Sequence, residues 1–183
     1  MKYLTLFLML LVCVSSANAV CATPESVEKP ALLSGDDIVD KAMEYEGVNY
    51  RRGGASPTAG FDCSGFVYYI FGLFGAKMAR SSRQQYKKEL KVEDYRELEK
   101  GDLVFFSGSR RSSSIGHVGI VTAVNPETGS FSFVHAATDG IRVSSSEEPY
   151  YSRRLLCACK SPRYEGGSDM ALSHTGAPNQ VDR

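Results

Sequence analysis

From Leu103 to Cys159 the chain alternates short apolar runs with turn residues, and few architectures accommodate that rhythm. Leu103-Val104-Phe105-Phe106 follows a Gly101-Asp102 turn. His117-Val118-Gly119-Ile120-Val121-Thr122-Ala123-Val124 follows a Ser-, Gly- and Arg-rich loop running from Gly108 to Gly116. Asn125-Pro126-Glu127-Thr128-Gly129 turns into Ser130-Phe131-Ser132-Phe133-Val134-His135, and Asp139-Gly140 into Ile141-Arg142-Val143-Ser144. Tyr151 to Cys159 reads as a final strand. Each run has strand length, is rich in β-branched or aromatic residues and is bounded by turn formers. The earlier part has helical spacing instead. Helices followed by consecutive strands predict an α+β fold, with N-terminal helices packed on a central antiparallel β-sheet.

Three helices are expected ahead of the strands. Ile38, Ala42 and Tyr45 share one face; Asp36 or Asp37 caps this helix and Gly47 stops it. Tyr50-Arg51-Arg52-Gly53-Gly54-Ala55-Ser56-Pro57 is a loop by its Gly and Pro content. A second helix starts near Cys63, with Phe66, Tyr69, Ile70 and Leu73 on its inner face. Arg80-Ser81-Ser82-Arg83-Gln84-Gln85-Tyr86 reads as a short serine-capped helix that Lys87-Lys88-Glu89-Leu90 continues.

The N-terminus carries an export signal. Met1-Lys2 precedes the apolar run Leu4 to Val12, and Ala17-Asn18-Ala19 supplies a small-residue cleavage site. The reading is a signal peptide over 1–19, a Pro-bearing leader over 20–33, one domain over 34–164 and a disordered tail over 165–183. It places the protein outside the cytoplasm. A lipid anchor at Cys21 is the less favoured alternative, because Val20 is a poor residue to precede a lipidated cysteine. The 183-residue chain has 21 basic and 21 acidic residues, so it lacks the basic excess of a nucleic-acid binder. Cys157 and Cys159 would share a face of their strand, where a disulfide between them is strained. Without a second Cys-x-Cys or clustered His, no metal site is expected. No cofactor is expected, and a monomer is the default.

Chemistry is expected at Cys63. A cysteine at a helix N-terminus meets unpaired N–H groups, whose partial positive charge favours the reactive thiolate. The chain has three histidines; His117 begins one predicted strand and His135 ends the next. A thiol nucleophile needs a base within reach, and the base needs an orienting partner. Cys63, His117 and His135 can fill those roles in that order.

These pieces resemble the NlpC/P60 family of papain-like cysteine peptidases. The resemblance is carried by Tyr50-Arg51-Arg52-Gly53-Gly54, Phe61-Asp62-Cys63-Ser64-Gly65-Phe66-Val67 and Arg80-Ser81-Ser82 with Gln85. It continues through Gly101-Asp102-Leu103-Val104-Phe105-Phe106, His117-Val118-Gly119-Ile120 and Phe133-Val134-His135-Ala136, over roughly residues 36–160. It implies a thiol endopeptidase acting on the peptide stems of bacterial peptidoglycan, at the bond between D-glutamate and a diamino acid such as diaminopimelate, and with the export signal it implies a place in the periplasm or cell envelope of a bacterium. By motif position Cys63 is the nucleophile, His117 the general base and His135 the orienting group. Tyr50 is given an oxyanion or positioning role. Asp62 and Ser64 are candidate substrate contacts, with Asp62 also a helix cap. Arg80 and Ser81 are candidate cleft residues, with a surface salt bridge the other reading of Arg80. The competing functions are a catalytically silent wall-binding scaffold and a thiol acyltransferase or amidase on the same fold. Catalysis would require Cys63 to remain a free thiol.

Overall fold

A computed structural model describes residues 33–108 and 113–162. The predicted signal peptide, Cys21, nearly all of the leader and the predicted tail lie outside the described residues. Helix α1 spans Gly35–Met43, α2 Cys63–Leu73 and α3 Ser82–Gln85. A two-stranded ribbon, β1 (Ala55–Ser56) with β2 (Gly60–Phe61), precedes α2. The main sheet contains β3 (Lys91–Val92), β4 (Leu103–Ser107), β5 (Ile115–Val124), β6 (Phe131–Ala137), β7 (Gly140–Ser145) and β8 (Leu155–Cys159). Its spatial order is β3-β8-β4-β5-β6-β7, and every pairing is antiparallel.

The α+β expectation matches this arrangement, with differences at the joints. Ser34, rather than Asp36 or Asp37, caps α1. Its hydroxyl accepts from the Asp37 N–H at 3.1 Å, while the Asp37 carboxylate accepts from the Ser34 N–H at 3.2 Å. This reciprocal capping box satisfies two donors at once, which neither aspartate achieves alone. The helix ends at Met43, and Gly47 closes the turn beyond it with φ at +81°, donating its N–H to the Ile141 carbonyl. Helix α3 stops at Gln85 instead of continuing; Lys88–Leu90 is a separate 3-10 turn.

The largest difference concerns the last strand. Pro149–Ser152 forms a short helix, α4, and β8 begins only at Leu155. Pro149 suits a first helical turn, where its missing N–H needs no partner. The chain crosses through α4 from the β7 edge to the middle of the sheet, where β8 enters between β3 and β4. Flanked on both sides, β8 has its backbone paired along both edges, and Cys157, Ala158 and Cys159 are buried. Phe105 lies opposite Cys157, and Leu103 opposite Cys159.

Two apolar layers hold the sheet. On one face Leu103, Phe105, Val118, Ile120, Val134 and Ile141 pack against Ile38 and Ala42 of α1 and Phe66, Val67, Ile70 and Phe71 of α2. On the other, Val104, Phe106, Val121, Phe131 and Phe133 pack with Leu98 and Tyr151. Leu73 departs from its expected place and is 48% exposed. Helix α2 is apolar over most of its circumference, so hydrophobic spacing could not single out its inner stripe; Val67 and Phe71 fill the core instead. Cys157 and Cys159 are buried free thiols on the helix-side layer.

Phe61 anchors the approach to α2. It is fully buried, with Tyr45, Phe66 and Tyr69 rings 5.9, 5.5 and 5.2 Å away. Phe61→Ala is expected to lower unfolding stability by about 3–5 kcal/mol in denaturant titration. Leu73→Ala should stay within about 1 kcal/mol of wild type; equal losses would contradict this assignment of the core.

Candidate active site

Cys63 occupies the first helical position of α2, directly after the Asp62 N-cap. One Asp62 carboxylate oxygen accepts from the Gly65 N–H at 2.6 Å, the Ser64 hydroxyl at 3.2 Å and Arg80 Nη1 at 2.9 Å. The other accepts from the Gly53 N–H at 2.9 Å and Arg80 Nη2 at 3.0 Å. Arg80 also reaches the Gly54 carbonyl at 3.0 Å and the Ser64 hydroxyl at 3.1 Å. The carboxylate thereby joins the glycine loop, the start of α2 and the residue-80 segment. Buried Gln85 adds a clamp, donating to the carbonyls of Ser64 and Ala79 at 2.9 and 2.8 Å.

Gly65 is required by this closeness. A Cβ there would lie 2.0 Å from the Gly54 carbonyl oxygen, a backbone atom that cannot step aside. The Asp-Cys-Ser-Gly sequence therefore supplies a cap, a thiol, a polar neighbour and a gap, all within the first turn.

Cys63 opens onto a cleft of about 590 Å³ whose walls include Tyr50, Gly108, Gly116, His117 and Arg142. Gly108 and Gly116 approach closely at its rim, where a Cβ on Gly116 would meet the Gly108 Cα at 2.7 Å. The thiol is not activated in the way the helix N-terminus alone predicts. Burial and the neighbouring Asp62 charge push the Cys63 pKa up, while the backbone N–H groups of Val118, Ser64 and Cys63 itself pull it down without prevailing. Desolvation of a thiolate outweighs the amides here. At rest Cys63 is therefore held as a thiol rather than a thiolate.

His117 lies on β5 and presents part of its ring to the cleft. Burial of the rest lowers its pKa to about 4, so the imidazole is neutral at ordinary pH. Its Nε2 lies 2.9 Å from Nδ1 of His135, and the two rings stand nearly perpendicular, at 89°. His135, on β6, is fully buried. Burial first, then the His117 and Arg142 charges, bring its pKa down to about 2. Its Nε2 faces the Ser144 hydroxyl and the Tyr151 hydroxyl, each at 3.2 Å. Gly119 makes room for this arrangement: a Cβ there would sit 2.5 Å from the Phe133 ring and 3.4 Å from the His135 Cβ.

The structure thus brings Tyr50, Cys63 and His117 to one cleft, with His135 directly behind His117. Asp62, Ser64 and Arg80 form a separate cluster under the α2 start, and Arg80 makes the salt bridge that was its other reading. Ser81 precedes α3 without capping it; its hydroxyl bonds the Gln84 side-chain oxygen at 2.8 Å. Sequence reasoning did not single out Gly119, Ser144 or Tyr151. Ser144 lies two residues beyond Arg142, which pairs with His135 across the β6–β7 ladder, so strand alternation signals its face. Tyr151 carries no such signal, because its segment has strand character in the sequence whereas the structure places it in α4.

Comparison with known proteins agrees with the geometry. The chain is 40% identical over 119 residues to the murein DD-endopeptidase MepS/murein LD-carboxypeptidase of Escherichia coli (strain K12), covering 64% of this chain and 57% of that one. It is 32% identical over 121 residues to the bifunctional muramidase/DL-endopeptidase CwlT of Bacillus subtilis (strain 168), covering 66% of this chain and 35% of that one. The chain therefore spans about half the length or less of these curated relatives. A solved NLP/P60 family protein from Staphylococcus aureus, described as similar to lipoprotein, superposes with a TM-score of 0.59 at 30% identity, covering 73% of this chain and 44% of that one. The NlpC/P60 family profile matches residues 47–160. With more than half of its length matched and the motif residues gathered around one cleft, this chain belongs to the NlpC/P60 family.

Proposed function

We propose that the protein is a cysteine endopeptidase that hydrolyses peptide stems of bacterial peptidoglycan, at the D-glutamyl–diamino acid bond. The observation that carries the reading is the 2.9 Å contact between His117 and His135 in the wall of the cleft that holds Cys63. It ties Nε2 of His117 to His135 and leaves Nδ1 as the base. Nδ1 takes the thiol proton as Sγ attacks the stem carbonyl carbon. The tetrahedral oxyanion collapses, the C–N bond breaks, and His117 returns the proton to the leaving amine. Water, deprotonated by the same nitrogen, then releases the thioester as a carboxylate and restores the thiol.

A neutral thiol and a neutral imidazole suit this sequence. Burial disfavours each charged form singly, but the proton transfer creates two opposite charges side by side, and their attraction in a dry site offsets the desolvation. The oxyanion is assigned to the Cys63 N–H, since first-turn helix amides have no intrahelical partner. Tyr50 is the second donor; burial, with the Cys63 and Asp62 charges, raises its pKa and keeps the phenol protonated. Asp62, Ser64 and Arg80 bond chiefly to one another, so contact with the stem is assigned to the exposed edge of Arg80 and to Ser81. The expected location remains the bacterial envelope.

The relatives' names divide between the proposed bond and a second one. CwlT is named a DL-endopeptidase, matching the bond proposed here, whereas MepS is named a DD-endopeptidase, which acts on a different linkage. Mature protein incubated with single stems and with cross-linked stem dimers, followed by mass spectrometry, separates the two. Cleavage within single stems supports the D-glutamyl bond; dimers resolved to intact single stems would move the assignment to the cross-link. Cys63→Ala and His117→Ala should abolish turnover and His135→Ala should weaken it less. Undiminished cleavage by Cys63→Ala would remove the thiol mechanism.

The pH profile follows from His117. The base works unprotonated, and burial sets its pKa at about 4. Activity should therefore stay level as pH falls through the ordinary imidazole value of about 6.5 and decline only as it approaches 4. Steady-state kcat/KM against pH reads this directly; an acid limb centred near 6.5 would contradict the buried-base assignment.

A further inference from the structure

His135 has no solvent to satisfy it, so both ring nitrogens must find partners inside the protein. A neutral imidazole offers one N–H and one lone pair. Which nitrogen carries the hydrogen decides whether His117 can act. If it were Nδ1, His135 would donate to Nε2 of His117, and the His117 hydrogen would be displaced to Nδ1, the nitrogen that has to accept the thiol proton. If it is Nε2, His135 Nδ1 accepts from His117 Nε2–H and His117 Nδ1 is left bare.

The surroundings of His135 Nε2 distinguish the two. Two oxygen atoms face it at 3.2 Å, from Ser144 of β7 and Tyr151 of α4. One N–H can be shared between two acceptors in a three-centre bond, whereas an sp² lone pair takes one well-aligned donor. Both hydroxyl residues are buried. The Tyr151 ring is fixed edge-on to His135, Phe133 and Phe106, with centroids 5.2, 5.0 and 5.4 Å away. Its hydroxyl is therefore aimed by packing from a different element than the one carrying Ser144.

We propose that Ser144 and Tyr151 are positioning residues that jointly accept the Nε2–H of His135, holding His135 in the tautomer that leaves His117 Nδ1 free as the base. The assignment deepens the peptidase reading and rests on it. Tyr151 also borders the cleft, but the role assigned here runs through His135 and not through the stem. Both act through His135, so their loss should slow the chemical step without weakening stem binding. The crossover helix α4 gains a purpose: it brings a hydroxyl from the β7-to-β8 connection to the back of the catalytic pair.

The test uses ¹⁵N-histidine-labelled full-length protein and the variants Tyr151→Phe, Ser144→Ala, the double variant and Ser144→Thr. Histidine ¹⁵N shifts, recorded without substrate, report the tautomer whether or not the enzyme cleaves anything. Wild type should show His135 protonated at Nε2 alone, and the double variant should show mixed tautomers. In muropeptide cleavage the double variant should lose about tenfold or more in kcat, with KM within about twofold of wild type. Each single variant should lose less, and Ser144→Thr, which keeps the hydroxyl, should retain the wild-type tautomer. Thermal unfolding confirms that the variants are folded, and Tyr151→Phe preserves the ring packing. Wild-type His135 protonated at Nδ1, or a folded double variant with unchanged tautomer and kcat, would overturn the proposal. A wild type that cleaves no stem would remove the peptidase reading instead, while the shifts still decide the tautomer.

Discussion

The Asp62 carboxylate is the point on which the site depends. It takes hydrogen bonds from the glycine loop, from the first turn of α2 and from both terminal nitrogens of Arg80. Burial alone would raise its pKa. The Arg80 guanidinium and the N–H groups of Gly65 and Gly53 outweigh burial and hold it below the ordinary carboxylate range. A charge kept ionised in this setting is a rigid joint, since each bond it makes is charge-assisted. The next residue is Cys63, so the direction of the thiol follows from the cap. Glycine at position 65 lets the first turn of α2 come against the Gly54 carbonyl, and glycine at position 54 lets its own loop close on the Gly60 carbonyl, so one carboxylate can serve both segments.

The opposite wall obeys a different rule. Among the described residues, the side-chain partners of the His135 ring nitrogens are His117, Ser144 and Tyr151 rather than a carboxylate, and burial keeps the His135 ring neutral. A neutral orienter depends on its hydrogen-bond pattern, because it has no charge with which to attract an imidazolium. The surroundings of His135 are accordingly filled with rings and hydroxyls, and Gly119 leaves the space they need. The polar hub beneath α2 and the dry aromatic pocket behind β5 approach the cleft from opposite sides. Cys63 comes from the helix layer and His117 from the sheet.

Much of this was readable in the residues. The run of turn-bounded strands gave the antiparallel sheet, and the cysteine before an apolar helix and the two strand histidines pointed to residues that the structure brings together. Neither histidine sits at a strand end, however, since β5 begins at Ile115 and β6 runs on to Ala137. Local patterns failed where tertiary contacts decide. The insertion of β8 between β3 and β4 leaves no trace in strand spacing, because register across a crossover is set by packing. Pro149 turned a predicted strand start into α4 and carried Tyr151 into the core. Leu73 was misplaced because α2 is apolar on most sides. The Cys63 shift had the wrong sign because a helix N-terminus is visible in sequence, whereas the depth of the thiol and the nearness of the Asp62 charge are not.

The central claim is that Cys63 forms a covalent bond with a stem carbonyl. Mixing the enzyme with a stem peptide, quenching in acid within the first turnovers and mapping the digest by mass spectrometry tests it most directly. The account predicts a thioester adduct, of the mass of the acyl fragment, on the peptide containing Cys63. Cleavage proceeding at the same rate with no adduct on Cys63, or with the adduct on Cys157 or Cys159, would contradict it.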